Sequence, residues 1–250
     1  MIDFHSHILP GIDDGAKDIK TSLDMLSESF EQGVKIVVAT PHCHLMGENS
    51  VEKFLKRRKE SYDKLKKAIE EDGRKFPQIV MGCELRVAKE YPETQDLKKL
   101  CIENTNYIMV EMPYEKWNAG NYDFIYGLIL RGMRPIVAHM ERYFNYRDDF
   151  HNLYSLDLLY QVNAESFIRS STKRKIPKLF EEGAIHIIGS DMHDMENRPS
   201  YMKKASVKIT TAYGGYRLKY LMKNAERILK NENVDTMCFG KLSIWDFLKL

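Results

Sequence analysis

The amino-acid sequence predicts an α/β fold, a barrel of seven βα units. Three observations predict it: β-rich runs alternate with helical patterns along nearly the whole chain, the runs number seven, and the 250 residues hold no Pro/Gly/Ser-rich linker or internal repeat. Alternation of this kind builds a parallel sheet with crossover helices. A length near 250 suits one barrel, so a single domain over residues 1–250 is expected.

Strands are expected at residues 2–6, 36–40, 79–84, 107–112, 135–139, 159–164 and 185–190. The first helix, 18–32, carries Ile19, Leu23, Leu26 and Phe30 at helical spacing, and Gly33 stops it. A second follows Ser50, a residue suited to cap a helix. It sets Phe54, Leu55, Tyr62, Leu65 and Ile69 on one face and ends near Asp72-Gly73. Its other face is basic, with ten Lys/Arg against five Asp/Glu between Lys53 and Lys75. Such a face needs only solvent, although its charge is also able to guide an anionic partner. Further helices fit 93–102, 122–131, 173–182 and 216–230, and the apolar ending Ile244-Trp245-Asp246-Phe247-Leu248 is expected to pack on the barrel rather than on a second subunit.

Composition removes whole classes of function. With 43% hydrophobic and 30% charged residues the chain builds a sizeable core and is neither disordered nor collagenous. Lys+Arg 38 against Asp+Glu 36 is too balanced for a protein that lives on phosphate neutralisation along nucleic acid. Apolar runs such as Ile36-Val37-Val38-Ala39 are far too short for membrane insertion. The opening Met1-Ile2-Asp3-Phe4-His5 lacks the basic and apolar regions of a signal peptide, so a cytoplasmic protein is expected. Cys43, Cys83, Cys101 and Cys238 show no paired spacing and read as reduced thiols.

The chemistry sits where the expected strands end, the place barrel enzymes put their catalytic groups. His5 and His7, two apart on a strand, face one side at about 6.5 to 7 Å along it. Asp13-Asp14-Gly15 follows in the first loop. Thr40-Pro41-His42, Gly82-Cys83-Glu84, Glu111-Met112-Pro113 and His139-Met140-Glu141-Arg142 end the next four strands, and Ser190-Asp191-Met192-His193 ends the last. Each of these pieces alone is common in surface turns or hydrogen-bonded cores. Together they point to metal, because a buried glutamate such as Glu84 or Glu111 is costly unpaired and a cation lets several carboxylates share one site. His186, inside an apolar strand, reads as a core residue, His44 as a loop neighbour of the site, and His151 lacks such support.

On these stretches, Met1 to His7 included, the sequence resembles the polymerase and histidinol phosphatase (PHP) superfamily. Within it, the sequence is similar to the bacterial PHP-type protein-tyrosine phosphatases of capsule and exopolysaccharide systems. The resemblance covers almost the entire chain and implies a distorted TIM-like (β/α)7 barrel of the PHP type. It also implies a trinuclear site of His5, His7, Asp14, His42, Glu84, Glu111, His139, Asp191 and His193. Manganese is the metal implied, with iron, zinc and magnesium as alternatives. Arg142 and Arg198 match the arginines that clamp phosphate in the family. Met140 departs from the pattern, since related sequences often have proline there, and this puts the aim of Arg142 in question. The substrate implied is the phosphotyrosine tail of a bacterial tyrosine autokinase that controls polysaccharide export.

Charge makes this chemistry workable. Three divalent ions against the carboxylates of Asp14, Glu84, Glu111 and Asp191 leave a net positive centre suited to a phosphate dianion. A water acidified by such ions would be expected to attack phosphorus in line, which would make a phosphoenzyme unnecessary. Residues six after the cysteines are Asn49, Lys89, Tyr107 and Ile244, which excludes a Cys-x5-Arg thiol mechanism. A phenol leaving group, with a pKa near 10, tolerates a site with no evident general acid. The rival readings are a PHP phosphoesterase acting on histidinol phosphate or another small phosphate ester, an amidohydrolase, and a noncatalytic metal-binding protein.

Overall fold

In the computed structural model, which describes residues 1–45, 50–90, 96–146, 156, 158–181 and 183–234, the apolar runs become parallel strands. These are β1 (Ile2–Ser6), β2 (Ile36–Ala39), β3 (His42–Cys43), β4 (Gln78–Met81), β5 (Glu84–Arg86), β6 (Tyr107–Glu111), β7 (Arg134–Val137), β8 (Leu159–Asn163) and β9 (Ile187–Gly189). Each of the seven expected runs is found, one of them in two pieces, and β3 is a short strand beyond the run expected at 36–40. Thr40-Pro41 separates β2 from β3, since proline has no N–H for the ladder. Gly82-Cys83 separates β4 from β5, so the run expected at 79–84 is corrected to two strands. One sheet runs β1-β2-β4, and the other continues β3-β5-β6-β7-β8-β9.

The ring closes between its first and last strands. Asp191 N donates to His5 O at 2.8 Å, His7 N donates to Met192 O at 2.9 Å, and Ser6 bridges Met192 in parallel. Gly189 is required there, because a Cβ on it would stand 2.5 Å from His5 Cβ. The inward-facing Phe4, Val38, Tyr107, Met109, Ile136, Ala138, Leu159 and Ile187 form one apolar cluster, and a larger one joins the outward faces to the helices.

The helices follow the expected periodicity with boundaries set by their caps. α1 (Ile19–Glu31) starts at Asp18, whose carboxylate accepts from Thr21 N at 2.7 Å, and ends before Gly33 at φ 86°. α2 (Val51–Glu71) starts at Ser50, whose Oγ accepts from Lys53 N at 3.2 Å. α3 (Ala119–Leu130), α4 (Lys175–Glu181), α5 (Met202–Tyr213) and α6 (Gly215–Leu229) complete the set among the described residues. The helix expected at 93–102 is corrected to a 3-10 turn, Leu97–Leu100, with residues 93–95 outside the described part. α5 is an addition: only Met202, Ala205 and Ile209 of it are buried, too sparse a stripe to announce itself in sequence. His186 is a core residue, buried just before β9 and accepting from Tyr160 N at 3.0 Å. His151, Cys238 and the 244–248 segment lie outside the described residues. Among those described, no helix is long and apolar enough to cross a membrane.

Candidate metal centre

The upper ends of the strands bring all nine ligand-type residues expected from the sequence to one mouth. Two backbone devices aim them. The pairing of β1 with β2 shifts register between Asp3 and Ser6, so Phe4 joins the inner apolar cluster and the adjacent His5 still reaches the interior polar groups. Bulges beside active sites re-aim side chains in this way. At the end of β7 and after β9, His139 and Asp191 adopt φ of 35° and 54°, left-handed values that non-glycine residues hold only where the surroundings impose them.

The distances define overlapping groups. His5 Nε2 and His7 Nε2 approach to 3.1 Å, and Glu84 Oε2 lies 3.3 Å from the first and 3.5 Å from the second. Asp191 Oδ1 stands 3.6 Å from His5 Nε2 and 3.5 Å from His7 Nε2. On one side, His42 Nε2 and His193 Nε2 face Asp14 Oδ1 at 3.3 and 3.4 Å. On the other, His139 Nε2 meets Glu84 Oε1 at 2.8 Å and Glu111 Oε1 at 3.6 Å. Three sets of converging donor atoms result: His7, Asp14, His42 and His193; His5, His7 and Glu84; Glu84, Glu111 and His139. His44 joins His42 and Glu111 in a further set, as a neighbour at the rim.

The donor set fits divalent cations. His42 Nδ1, Glu84 Oε2 and His193 Nε2 are buried and have no hydrogen-bond partner among the described residues, yet each points at other ligand-type atoms. Buried lone pairs that converge without hydrogen bonds are costly unless a cation shares them. Imidazoles and carboxylates without a thiolate suit borderline and hard divalent ions; Cys83, next to Glu84, instead turns its Sγ to Leu100 O at 3.3 Å.

Electrostatics describe the metal-free chain. Burial opposes charge on His5 and His7, but Glu84 and Asp191 hold His5 at about 9, and Asp13 and Glu84 do the same for His7. Burial and the Arg142 cation lower the pKa of His139, while burial and His7 push His193 down to about 3. Although burial alone raises carboxylates, the imidazoles hold Glu84 well below the usual range, and His5 and Arg142 do so for Asp191.

Sequence reasoning missed the residues that orient the cluster. Gln161 Oε1 accepts from His5 Nδ1 at 3.0 Å and from His139 N at 2.8 Å, and Asp13 Oδ2 accepts from His7 Nδ1 at 2.7 Å and from His42 N at 3.0 Å. These bonds turn both Nε2 atoms to the centre. Asp191 Oδ2 accepts from Arg142, from Arg198 NH2 at 2.8 Å and from Asn163 Nδ2 at 2.8 Å. Tyr114 OH donates to Glu111 Oε1 at 2.7 Å and accepts from Arg142 NH1 at 2.9 Å, while Arg86 NH1 donates to Glu111 Oε2 at 2.7 Å. The alternation of β8, with Gln161 and Asn163 on the face of Leu159, was the available signal for two of them.

A parallel barrel with buried imidazoles and carboxylates gathered at its C-terminal mouth belongs to the class of metal-dependent hydrolases. More particularly, the chain belongs to the capsular polysaccharide synthesis CpsB/CapC family, whose model matches residues 1–230. It is 33% identical over 248 residues to the tyrosine-protein phosphatase YwqE of Bacillus subtilis (strain 168), covering 94% of this chain and 93% of that protein. It is 28% identical over 257 residues to the tyrosine-protein phosphatase CpsB of Streptococcus agalactiae serotype V, covering 94% of this chain and 100% of that one. Among solved structures, it matches one from a study of YwqE from Bacillus subtilis and CpsB from Streptococcus pneumoniae, described as unique metal-dependent tyrosine phosphatases. The TM-score is 0.81 at 30% identity, over 97% of this chain and 100% of that one.

Proposed function

We propose that this chain is a metal-dependent protein-tyrosine phosphatase of a capsular or exopolysaccharide synthesis system. The observation that carries the reading is the convergence of imidazoles and carboxylates on one barrel mouth with two arginines at its edge, in a chain similar over 94% of its length to tyrosine-protein phosphatases.

Its metal ligands are His5, His7, Asp14, His42, Glu84, Glu111, His139, Asp191 and His193, in one domain over residues 1–250. Three ions are proposed because the three donor sets overlap only at His7 and Glu84. Manganese is the proposed metal. When bound, such ions supply Lewis acidity and counter-charge for phosphate-ester hydrolysis.

The chain's own groups do the rest. Asp13 and Gln161 hold the Nδ1 protons of His7 and His5, which leaves each Nε2 a lone pair for the centre. Arg142 and Arg198, anchored on Asp191, present planar donors to phosphate oxygens, and Tyr114 steadies Arg142. A tyrosyl leaving group, with its low basicity, asks little of a proton donor. The proposed partner is the phosphotyrosine of a bacterial tyrosine autokinase, and the proposed location is the cytoplasm.

The test is hydrolysis of a phosphotyrosyl peptide by stripped protein reloaded separately with Mn²⁺, Mg²⁺, Zn²⁺ or Fe²⁺, with H42A and D191A as controls. Release of phosphate in the wild type and its loss in both variants is expected. Equal or faster turnover of histidinol phosphate or of unactivated alkyl phosphates would move the reading to a small-ester phosphatase.

A further inference from the structure

Glu141 is buried beside the cluster, 5% exposed, yet belongs to none of the converging donor sets. Its oxygens instead meet the end of β8 and the turn after it. Oε1 accepts from Ser166 Oγ at 2.8 Å and from Asn163 N at 3.2 Å, and Oε2 lies 3.4 Å from the same amide. A carboxylate buried against neutral donors costs stability, so the place it occupies is informative.

Arg142 follows it in the 3-10 turn Met140–Tyr146, and Met140 leaves that turn without the fixed φ of a proline. Glu141 ties the turn on one side to Asn163 and Ser166; on the other, the buried Tyr143 donates its OH to Met112 O at 2.9 Å. The chain is thus pinned on both sides of Arg142. The first pin also closes a ring. Asn163, whose N–H Glu141 holds, donates Nδ2 to Asp191 Oδ2 at 2.8 Å, and the same oxygen accepts from Arg142 NH2.

We infer that Glu141 is a positioning residue of the phosphate clamp, holding the turn so that Arg142 reaches Asp191 and leaves its exposed edge for phosphate. The inference rests on the reading of Arg142 as a phosphate-binding arginine. Asp191 and Tyr114 hold the guanidinium itself; Glu141 holds the backbone from which that side chain starts. Its Oε1 alone takes both donors, a role that a glutamine amide oxygen can fill.

The test measures binding of inorganic phosphate to the Mn²⁺-loaded enzyme by titration calorimetry, with KM and kcat on a phosphotyrosyl peptide beside it. E141A should weaken phosphate about fivefold, the scale of one or two hydrogen bonds, and raise KM by a similar factor with kcat changed less. E141Q should return both to within about twofold of wild type. In an R142A background, E141A should shift phosphate affinity by less than about twofold, because the group it aims is gone. S166A removes one of the two bonds and should weaken phosphate about threefold, again only when Arg142 is present; it carries the test if E141A does not fold. Unaltered phosphate affinity, an E141Q as weak as E141A, or equal effects with and without Arg142 overturns the inference. Loss of metal from E141A would place its effect on Asp191 and overturns it too. If R142A itself binds phosphate as the wild type does, the clamp reading fails and takes this inference with it, while phosphotyrosine hydrolysis is judged by its own experiment above.

Discussion

Along β6, Tyr107 and Met109 fill the lower interior of the barrel with apolar surface, whereas Glu111, on the same face two residues on, is buried at the upper mouth against Arg86 and Tyr114. β8 repeats the contrast with Leu159 below and Gln161 and Asn163 above, and the chain through β9 repeats it with Ile187 below and Asp191 above. The pleat alone assigns both ends to one face. They differ in what they cost: the lower end gains from every methylene removed from water, while Glu84, 1% exposed, is tolerable only with charge and lone pairs matched around it. Stability and chemistry therefore occupy opposite ends of the same strands.

The largest expected effect breaks this contrast directly. Glu84→Ala should lower kcat/KM on a phosphotyrosyl peptide by on the order of 10³-fold, the scale of a lost metal contribution. Ile136→Ala, at the lower end, should instead cost about 2–5 kcal/mol in urea unfolding and leave kcat of the folded enzyme within about twofold. If the two variants lost activity and stability in the same proportion, the division between the ends would fail.

Next in size are the orienting residues. Gln161→Ala and Asp13→Ala should each weaken metal binding or activity about 10- to 100-fold, measured by competition with a chelator. Wild-type metal affinity in either variant would mean that these hydrogen bonds do not aim His5 and His7.

The pH dependence sharpens the comparison further. In the metal-free protein, His5 and His7 are raised to about 9. Their contribution to stability is thus fully present below the unfolded value of about 6.5 and is lost as pH rises through about 9. The urea midpoint of the metal-free protein should fall over that window. Ligand imidazoles must be neutral, so metal loading at pH 7 should release about two protons, read by titration calorimetry in buffers of different ionisation enthalpy. Release of no protons would contradict the paired, charged state of these histidines.

The smallest effect is expected at the rim. Tyr114→Phe deletes the hydroxyl shared by Glu111 and Arg142 and should reduce kcat/KM for p-nitrophenyl phosphate by roughly three- to tenfold, the scale of one or two hydrogen bonds. An unaltered rate would leave Arg142 positioned by Asp191 alone.

Much of this was written along the chain. Six of the seven expected runs, of five or six residues, carry or precede an imidazole or a carboxylate of the expected ligand set, which marked the strands and the mouth together, because strand period and ligand chemistry are both local properties. The run 159–164 supplies none of that set. The basic face of α2 was equally legible, but which cations flank the site was not. Lys53 and Arg57 line a cavity beside the cluster, a placement that the helix period alone does not give. The choice of Asp14 over Asp13 came from the family resemblance and not from residue chemistry. Adjacent acids look alike until one is seen to hold His7 Nδ1 and the other to face His42 and His193.

By itself the sequence determined the order of the seven strand runs, the Gly33 stop of α1, the Ser50 cap of α2, and the residue types able to hold divalent ions. Each of these follows from periodicity and side-chain chemistry within a few neighbours. Tertiary structure alone decided the break at Gly82-Cys83, the inward turn of His5, the left-handed backbone at His139 and Asp191, and the bonds from Gln161, Asp13 and Tyr114. Those features depend on groups far apart in the chain meeting where the barrel closes, and no local pattern encodes the distance between them.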